Sequence, residues 1–321
     1  MKLLALTFGD ENCASTQYRI LQYRPLMEAA GITLEHAPAK SFTDWQSLPD
    51  YDTVILQKTL LSRRKIRLIS KGAKRFLYDS DDRIWLRPGK PYGPITALRI
   101  KLRLQQICRE ADLCMTANGI IANDLMKCGG KTKTIPMSLD GSTWKAREKP
   151  SQPLTVGWTG SPASLVYLED IRPALVKTQK IFPNVRWHIH CGKKPDWRDL
   201  SFEHIPYVPG NESKTVSGFH IGLLPLPDGP FARGKSPIKA LQYFSSKVAL
   251  LYSPIGATEE LTNNNKLGAS CNSLTEWSEN LSTLLRDDEK RNNMVKIALE
   301  TFREKHEIKQ TFQTFVSCLR G

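Results

Sequence analysis

No apolar run in this chain approaches the ~18 residues that a membrane-spanning helix requires. The apolar stretch inside MKLLALTFGDEN is too short for a secretory signal and reads as a first strand. Cysteine is sparse and unpatterned: seven residues (Cys13, Cys108, Cys114, Cys128, Cys191, Cys271 and Cys318) with no C-x-x-C among them. An odd, scattered set argues against a disulfide framework and against structural zinc, and points to a reducing, cytoplasmic setting. G-x-S-x-G, H-E-x-x-H and the phosphate-binding P-loop sequence are all missing, which removes three common catalytic architectures. Internal repeats and low-complexity segments are missing too.

What is present is an ordinary globular composition, 40% hydrophobic and 24% charged over 321 residues, enough for two domains. The net charge is +14 and it is uneven. Residues 1–150 carry 25 Lys and Arg against 15 Asp and Glu, whereas the remainder carries 21 against 17. The excess concentrates at Arg63, Arg64, Lys65, Arg67, Lys71, Lys74 and Arg75, and again at Arg99, Lys101, Arg103 and Arg109. The second group interleaves with Ile100, Leu102, Leu104 and Ile107. Such a face suits an anionic membrane surface or a polyanion, or is a solvated helix face. Nucleic acid is disfavoured as the partner, because the 63–75 run holds no aromatic platform.

Strand and helix signals alternate along the chain. Apolar β-type runs occur at Leu3–Leu6, Thr53–Leu56, Arg75–Tyr78, Leu113–Met115 and Lys133–Ile135, with helices expected at Thr16–Ala30 and Ala97–Arg109. The polar segment Leu139–Pro153 reads as a linker. A second series follows at Leu154–Trp158, Val185–Ile189, His220–Leu226 and Val248–Tyr252, with helices at Leu165–Ile181 and Pro237–Ser246 and a helical tail from Asp287 to Cys318. Each series predicts a parallel sheet covered on both faces, so the fold class is α/β with two doubly wound domains. A ligand is expected between them at the carboxyl ends of the strands.

The segment Phe219–Gly256 is chemically the most specific. A buried strand empties into a Pro/Gly/Asp loop that delivers Arg233, Gly234 and Lys235 to a helix beginning near Ser236. Unpaired backbone N–H groups, the helix dipole and a lysine together make a phosphate site. Gly157-Trp158-Thr159-Gly160-Ser161-Pro162 forms a second strand-to-helix turn, where small residues and two hydroxyls admit a ligand or simply allow tight packing. Asp79-Ser80-Asp81-Asp82 follows the Arg75–Tyr78 strand. It can hold a divalent cation, contact or activate a hydroxyl of a sugar, or cap a helix. Ser15-Thr16-Gln17-Tyr18-Arg19 caps a helix or turns Arg19 toward the cleft. His188 and His190 share a strand face beside Cys191, but no third metal ligand is in view.

These pieces resemble the bacterial family-4-like glycosyltransferases of the GT-B fold, of the kind that serves polysaccharide and lipopolysaccharide biosynthesis. The resemblance rests on STQYRILQYRPLMEAAGI after the first strand, YDSDDRIW at 78–85, ADLCMTANGIIA at 111–122, GWTGSP at 157–162, IGLLPLPD at 221–228 and RGKSPIKALQYF at 233–244. It covers nearly the whole chain. It implies two Rossmann-like domains facing across a cleft. An acceptor-side domain would span 1–150, with the final helix, 303–321, packing back on it, and a nucleotide-sugar domain would span 151–302. It implies transfer of a hexosyl-type sugar from a nucleotide-diphosphate donor to a glycan or lipid-linked acceptor, with retention, without an essential metal or other cofactor. The enzyme would be cytoplasmic and peripheral on the inner membrane face. Arg233, Lys235, Asp81 and Asp82 become the catalytic candidates. Gly157, Thr159, Gly160, Ser161, Ser236, Lys239 and Gln242 become donor-side candidates, and Ser15, Thr16, Tyr18, Arg19, Asp79 and Asn118 acceptor-side ones. The chain departs from the family at two glutamate positions, which are Gly234 and Gln242 here, and it lacks the family's basic pair after the first strand of the second domain. A nucleotide-sugar-binding relative without turnover and an epimerase of the same fold are the alternatives.

Overall fold

The computed structural model describes every residue except Asn264. The chain groups into two compact units. The first comprises Met1–Ser138, Gly229–Ser236 and Ile308–Gly321, and the second comprises Leu139–Asp228 and Pro237–Glu307.

In the first unit, six parallel strands run β1 (Lys2–Thr7), β2 (Thr33–Pro38), β3 (Thr53–Gln57), β4 (Phe76–Ser80), β5 (Leu113–Thr116) and β6 (Thr132–Thr134). Their spatial order is β2-β1-β3-β4-β5-β6, so the strand order reverses between β1 and β3. Both faces of this sheet are buried. Leu4, Leu6, Val54, Leu56, Phe76 and Tyr78 enter one core, and Leu3, Ala5, Ile55, Leu77 and Met115 enter the other. That is why the strands read as continuous apolar runs rather than alternating ones.

The second unit carries β7 (Thr155–Gly160), β8 (Arg186–Cys191), β9 (Glu203–Pro206), β10 (Ile221–Leu224), β11 (Ala249–Tyr252) and β12 (Ala269–Ser270). The order β12-β11-β10-β7-β8-β9 places the reversal between β7 and β10. Each reversal leaves a crevice at the strands' carboxyl ends, where α/β proteins bind ligands.

The structure differs from the sequence expectations in local ways. The edge strands β2, β6, β9 and β12 carry no apolar run because each pairs on one side only. The expected 16–30 helix is broken into Ala14–Arg19, a 3₁₀ turn and Arg24–Ala29, with Pro25 opening the last piece. The helical tail breaks at His306 into Asp288–Lys305 and Ile308–Arg320. The unit boundary falls after Ser138, ahead of the expected 150/151 division. The polar 139–153 stretch is anchored, not free: Trp144 is buried, its carbonyl accepts from Ser245, and Lys149 Nζ donates to the carbonyl of Lys247 at 2.6 Å.

Helix Ile308–Arg320 packs within the first unit. Tyr23 stacks on Phe315 with centroids 4.6 Å apart and planes 9° apart. The Tyr23 hydroxyl lies 2.7 Å from Thr311 Oγ1 and 2.8 Å from Ser138 Oγ. Phe315→Ala is therefore expected to destabilise the protein by about 3–5 kcal/mol in urea unfolding. A loss below about 1 kcal/mol contradicts the claim that this helix completes the core.

Candidate functional site

At the reversal of the first sheet, β3 ends in Gln57 and the next residue, Lys58, turns into the left-handed region at φ 46°. The turn aims its side chain inward, where it is 8% exposed. Lys58 Nζ donates to Ser15 Oγ at 2.8 Å and pairs with both Asp81, at 3.2 Å, and Asp82. Ser15 Oγ in turn donates to Asp81 Oδ2 at 3.0 Å. Burial works to lower the Lys58 pKa, but the two carboxylates outweigh it and hold the ammonium above its ordinary value. Burial likewise pushes the Asp82 carboxyl above the usual range, against the pull of Lys58. The result is a buried cation between two carboxylates at the carboxyl end of the sheet. Nothing in the sequence reading singled out Lys58. Its one signal is a lysine at the carboxyl end of a fully buried strand.

The segment Gly229–Ser236 packs on the same place. Ser236 Oγ donates to the Asp81 carbonyl, Asn118 Nδ2 donates to the Gly234 carbonyl at 3.2 Å, and Arg83 donates to the Pro230 carbonyl. Lys235 is close enough to feel Asp82. Burial pulls its ammonium below the ordinary value, Asp82 opposes that and Lys58 adds to it. A Cβ on Gly234 would sit 2.2 Å from Arg83 Cδ, so glycine is required there as long as Arg83 keeps its place. Arg83 is fixed by Asp124, which accepts from it at 2.7 Å and from Trp85 Nε1 at 3.0 Å. The Arg83 side chain fills the space that the first atoms of a longer side chain at 234 would need.

Several of the other acceptor-side candidates have structural partners. Arg19 does not face a cleft: it is 2% exposed and its Nε donates to Asp79 at 2.9 Å, with a second bond to the Ile135 carbonyl. Burial works against both charges of the pair: Asp79 holds the Arg19 guanidinium above its ordinary value, while burial pushes the Asp79 carboxyl up against the pull of Arg19. Neither Ser15 nor Thr16 caps the first helix, whose N-cap is Cys13. Thr16 Oγ1 donates to the Gly9 carbonyl. Tyr18 is half-buried on that helix. Asn118 caps the Gly119–Lys127 helix by accepting from Ile121 N. The Asp79–Asp82 cluster caps no helix, since the next one begins at Pro94 with Gly93 at its N-cap.

In the second unit, β7 extends through Gly160, so the turn starts later than the glycines suggest. Gly157 accommodates the ring of Phe219, and Gly160 accommodates the Trp158 ring and the Lys239 ammonium. Both glycines thus serve packing. Thr159 Oγ1 meets His190 Nδ1 at 3.0 Å, and Ser161, exposed, meets Ser164 Oγ at 2.8 Å. Across the reversal, helix Ile238–Ser245 starts two residues past Ser236, with no side-chain cap at Pro237. Lys239 Nζ lies 5.1 Å from the Trp158 ring centroid. Gln242 is buried on that helix, and Arg233 is exposed at the end of the short Pro230–Arg233 helix. His188 is paired with Glu203 at 3.1 Å. Among the described residues, no group of three or more His, Cys, Asp or Glu side chains is arranged to hold a metal ion.

Removing the Lys58 ammonium orphans two buried carboxylates. Lys58→Met should cost about 3–5 kcal/mol at pH 8. The orphaned Asp82 carboxyl, which burial raises, binds a proton more readily folded than unfolded, so the deficit should shrink as pH falls toward 5. An equal deficit at both pH values, read by chemical denaturation, contradicts the cluster's ionisation.

No protein-family model matches the chain, and no curated protein matches it in sequence. Solved structures do match. HepE of Anabaena in complex with UDP and glucose aligns over 100% of this chain and 99% of its own, with a TM-score of 0.73 at 14% identity. Sucrose-phosphate synthase of Thermosynechococcus elongatus aligns over 99% and 98%, with a TM-score of 0.75 at 12% identity. The apo structure of OtsA aligns over 100% and 99%, with a TM-score of 0.67 at 13% identity. With its two six-stranded parallel sheets and this end-to-end likeness, the chain has the GT-B fold.

Proposed function

We propose that the protein is a glycosyltransferase that moves a sugar from a nucleoside-diphosphate donor, UDP-linked by likeness to its neighbours, to a glycan or lipid-linked acceptor. The observation that carries this reading is the placement of Lys235 and Ser236 beside the Lys58, Asp81 and Asp82 cluster at the carboxyl end of the first sheet. Likeness to HepE with UDP and glucose supports the donor class. In this reading Thr159, Ser161, Lys239 and Gln242 hold the nucleotide, with the Gln242 amide oxygen accepting from a ribose hydroxyl.

The chemistry follows from charge. As the bond from the anomeric carbon to the diphosphate breaks, the electron pair and its negative charge leave on the phosphate. Arg233 and Lys235 neutralise that charge without a metal, and a preorganised cation in a poorly solvated place, as Lys235 is, acts strongly. Lys235, destabilised by burial, gains most when an anion arrives. Asp82, made more basic by burial, orients the acceptor hydroxyl. With retention, the hydroxyl attacks from the face the diphosphate leaves, and its proton passes to the departing phosphate oxygen. The basic faces around Arg63, Arg64, Arg67 and Lys71 would dock the first unit on an anionic inner membrane leaflet, as suits polysaccharide assembly. A second reading, nucleotide-sugar binding without turnover, is favoured by Gly234 and Gln242 at the two glutamate positions.

Lys235→Ala should weaken UDP binding by about 1.5 kcal/mol or more in calorimetric titration, as for a charge-assisted contact. Unchanged affinity removes Lys235 from the donor site.

A further inference from the structure

His220 stands just before β10, where the order of the second sheet reverses. Its backbone joins both neighbouring strands. Its N–H donates to the Thr155 carbonyl of β7 at 2.8 Å, and its carbonyl accepts from Ala249 N of β11 at 3.0 Å. The side chain is committed at both ring nitrogens. Nδ1 lies 3.0 Å from the backbone nitrogen of Thr155, and Nε2 lies 3.0 Å from the Pro150 carbonyl. A backbone N–H only donates and a carbonyl only accepts. Nδ1 therefore holds a lone pair and Nε2 holds the proton. Only the neutral imidazole satisfies these partners, because a proton on Nδ1 would face the Thr155 N–H, donor against donor.

The surrounding charge acts in the same direction. Burial, with the Lys149 and Arg291 cations, holds the ring below the ordinary histidine value, against the Pro150 carbonyl and Asp288. Asp288 is itself bound by Arg291 Nη2. Lys149 donates to the carbonyls of Ser246 at 3.2 Å and Lys247 at 2.6 Å. Burial, with Lys247 and Arg291 nearby, pulls its ammonium down to about 8. Below that pH Lys149 is a cation, so a protonated His220 would join three positive charges, those of Lys149, Lys247 and Arg291.

Lys149 and Pro150 thus fasten the polar 139–153 stretch to the second unit. Lys149 holds the end of helix Ile238–Ser245, and Pro150 holds the His220 ring. Trp144 adds a third attachment, its carbonyl accepting from Ser245 on the same helix.

We propose that Lys149, Pro150 and His220 form an acid-released clasp, which holds the 139–153 stretch in place while His220 is neutral and frees it when the ring takes a second proton. The ring binds that proton less readily clasped than free. The clasp is therefore complete above the ordinary histidine value of ~6.5 and is lost as pH falls through the lower value of the clasped ring. Release also loosens the far end of the helix that carries Lys239 and Gln242, but the clasp does not depend on their role in nucleotide binding.

The test is imidazole-nitrogen NMR and amide exchange on the full-length protein between pH 5 and 8. At pH 7.5 His220 should carry its proton on Nε2, and its titration midpoint should lie below ~6.5. Between pH 7.5 and 5.5 the Thr155 amide should lose ~10-fold or more of its protection, after correction for the intrinsic pH dependence of exchange. Tryptic cleavage after Lys145 and Arg147, normalised to a free peptide of that sequence, should rise in parallel. His220→Asn keeps an acceptor for Thr155 but cannot titrate, so its protection should be equal at the two pH values. Lys149→Gln removes a neighbouring cation and should raise the His220 midpoint. A proton on Nδ1 at pH 7.5 overturns the proposal, as does a midpoint at or above the ordinary histidine value. Equal acid loss of protection in wild type and His220→Asn also overturns it. If His220→Asn does not fold, the proton position in wild type and the Lys149→Gln shift decide. None of these readouts uses a nucleotide, so failure here leaves the donor reading standing.

Discussion

The ammonium of Lys58, buried between Asp81 and Asp82, is the constraint on which the first unit's candidate site is built. A charge taken out of water is tolerated only when it is paired and hydrogen-bonded. Lys58 meets that condition by gathering the ends of three chain segments: Ser15 after β1, its own residue after β3, and the two aspartates after β4. Ser236 then fastens the Arg233–Ser236 loop to the Asp81 carbonyl. Breaking the lysine's pairs would loosen the carboxylates, and with them the surface on which that loop rests.

Much of the architecture was legible because parallel strands buried on both faces must be apolar throughout. Thr53–Leu56, Leu113–Met115 and Val248–Tyr252 announce themselves in that way. Helix Leu165–Ile181 is found at its expected bounds. The edge strands were not legible, because Thr-Leu-Glu-His-Ala-Pro in β2 needs only partial burial. The site was harder still. Asp81, Asp82 and Lys235 could be chosen from charge and loop chemistry, but Lys58 is separated from its partners by more than twenty residues. Only the sheet order brings them together. Arg19 misled for the same reason: an arginine after a first strand looks available until Asp79, sixty residues away, is seen to hold it.

Glycine carried two meanings that sequence could not separate. Gly157 and Gly160 look like ligand-admitting residues, yet their missing side chains make room for Phe219, Trp158 and Lys239. Gly234 looks like a lost glutamate, yet Arg83 occupies the space. A glutamate at 234 would displace that arginine from Asp124.

The account stands or falls on nucleotide-sugar transfer. Its most direct measurement is a screen of nucleoside-diphosphate sugars for thermal stabilisation of the protein and for release of the nucleoside diphosphate. The account predicts that at least one UDP-sugar raises the melting temperature and releases UDP. A protein that no nucleotide or nucleotide sugar stabilises, and that releases none, contradicts it.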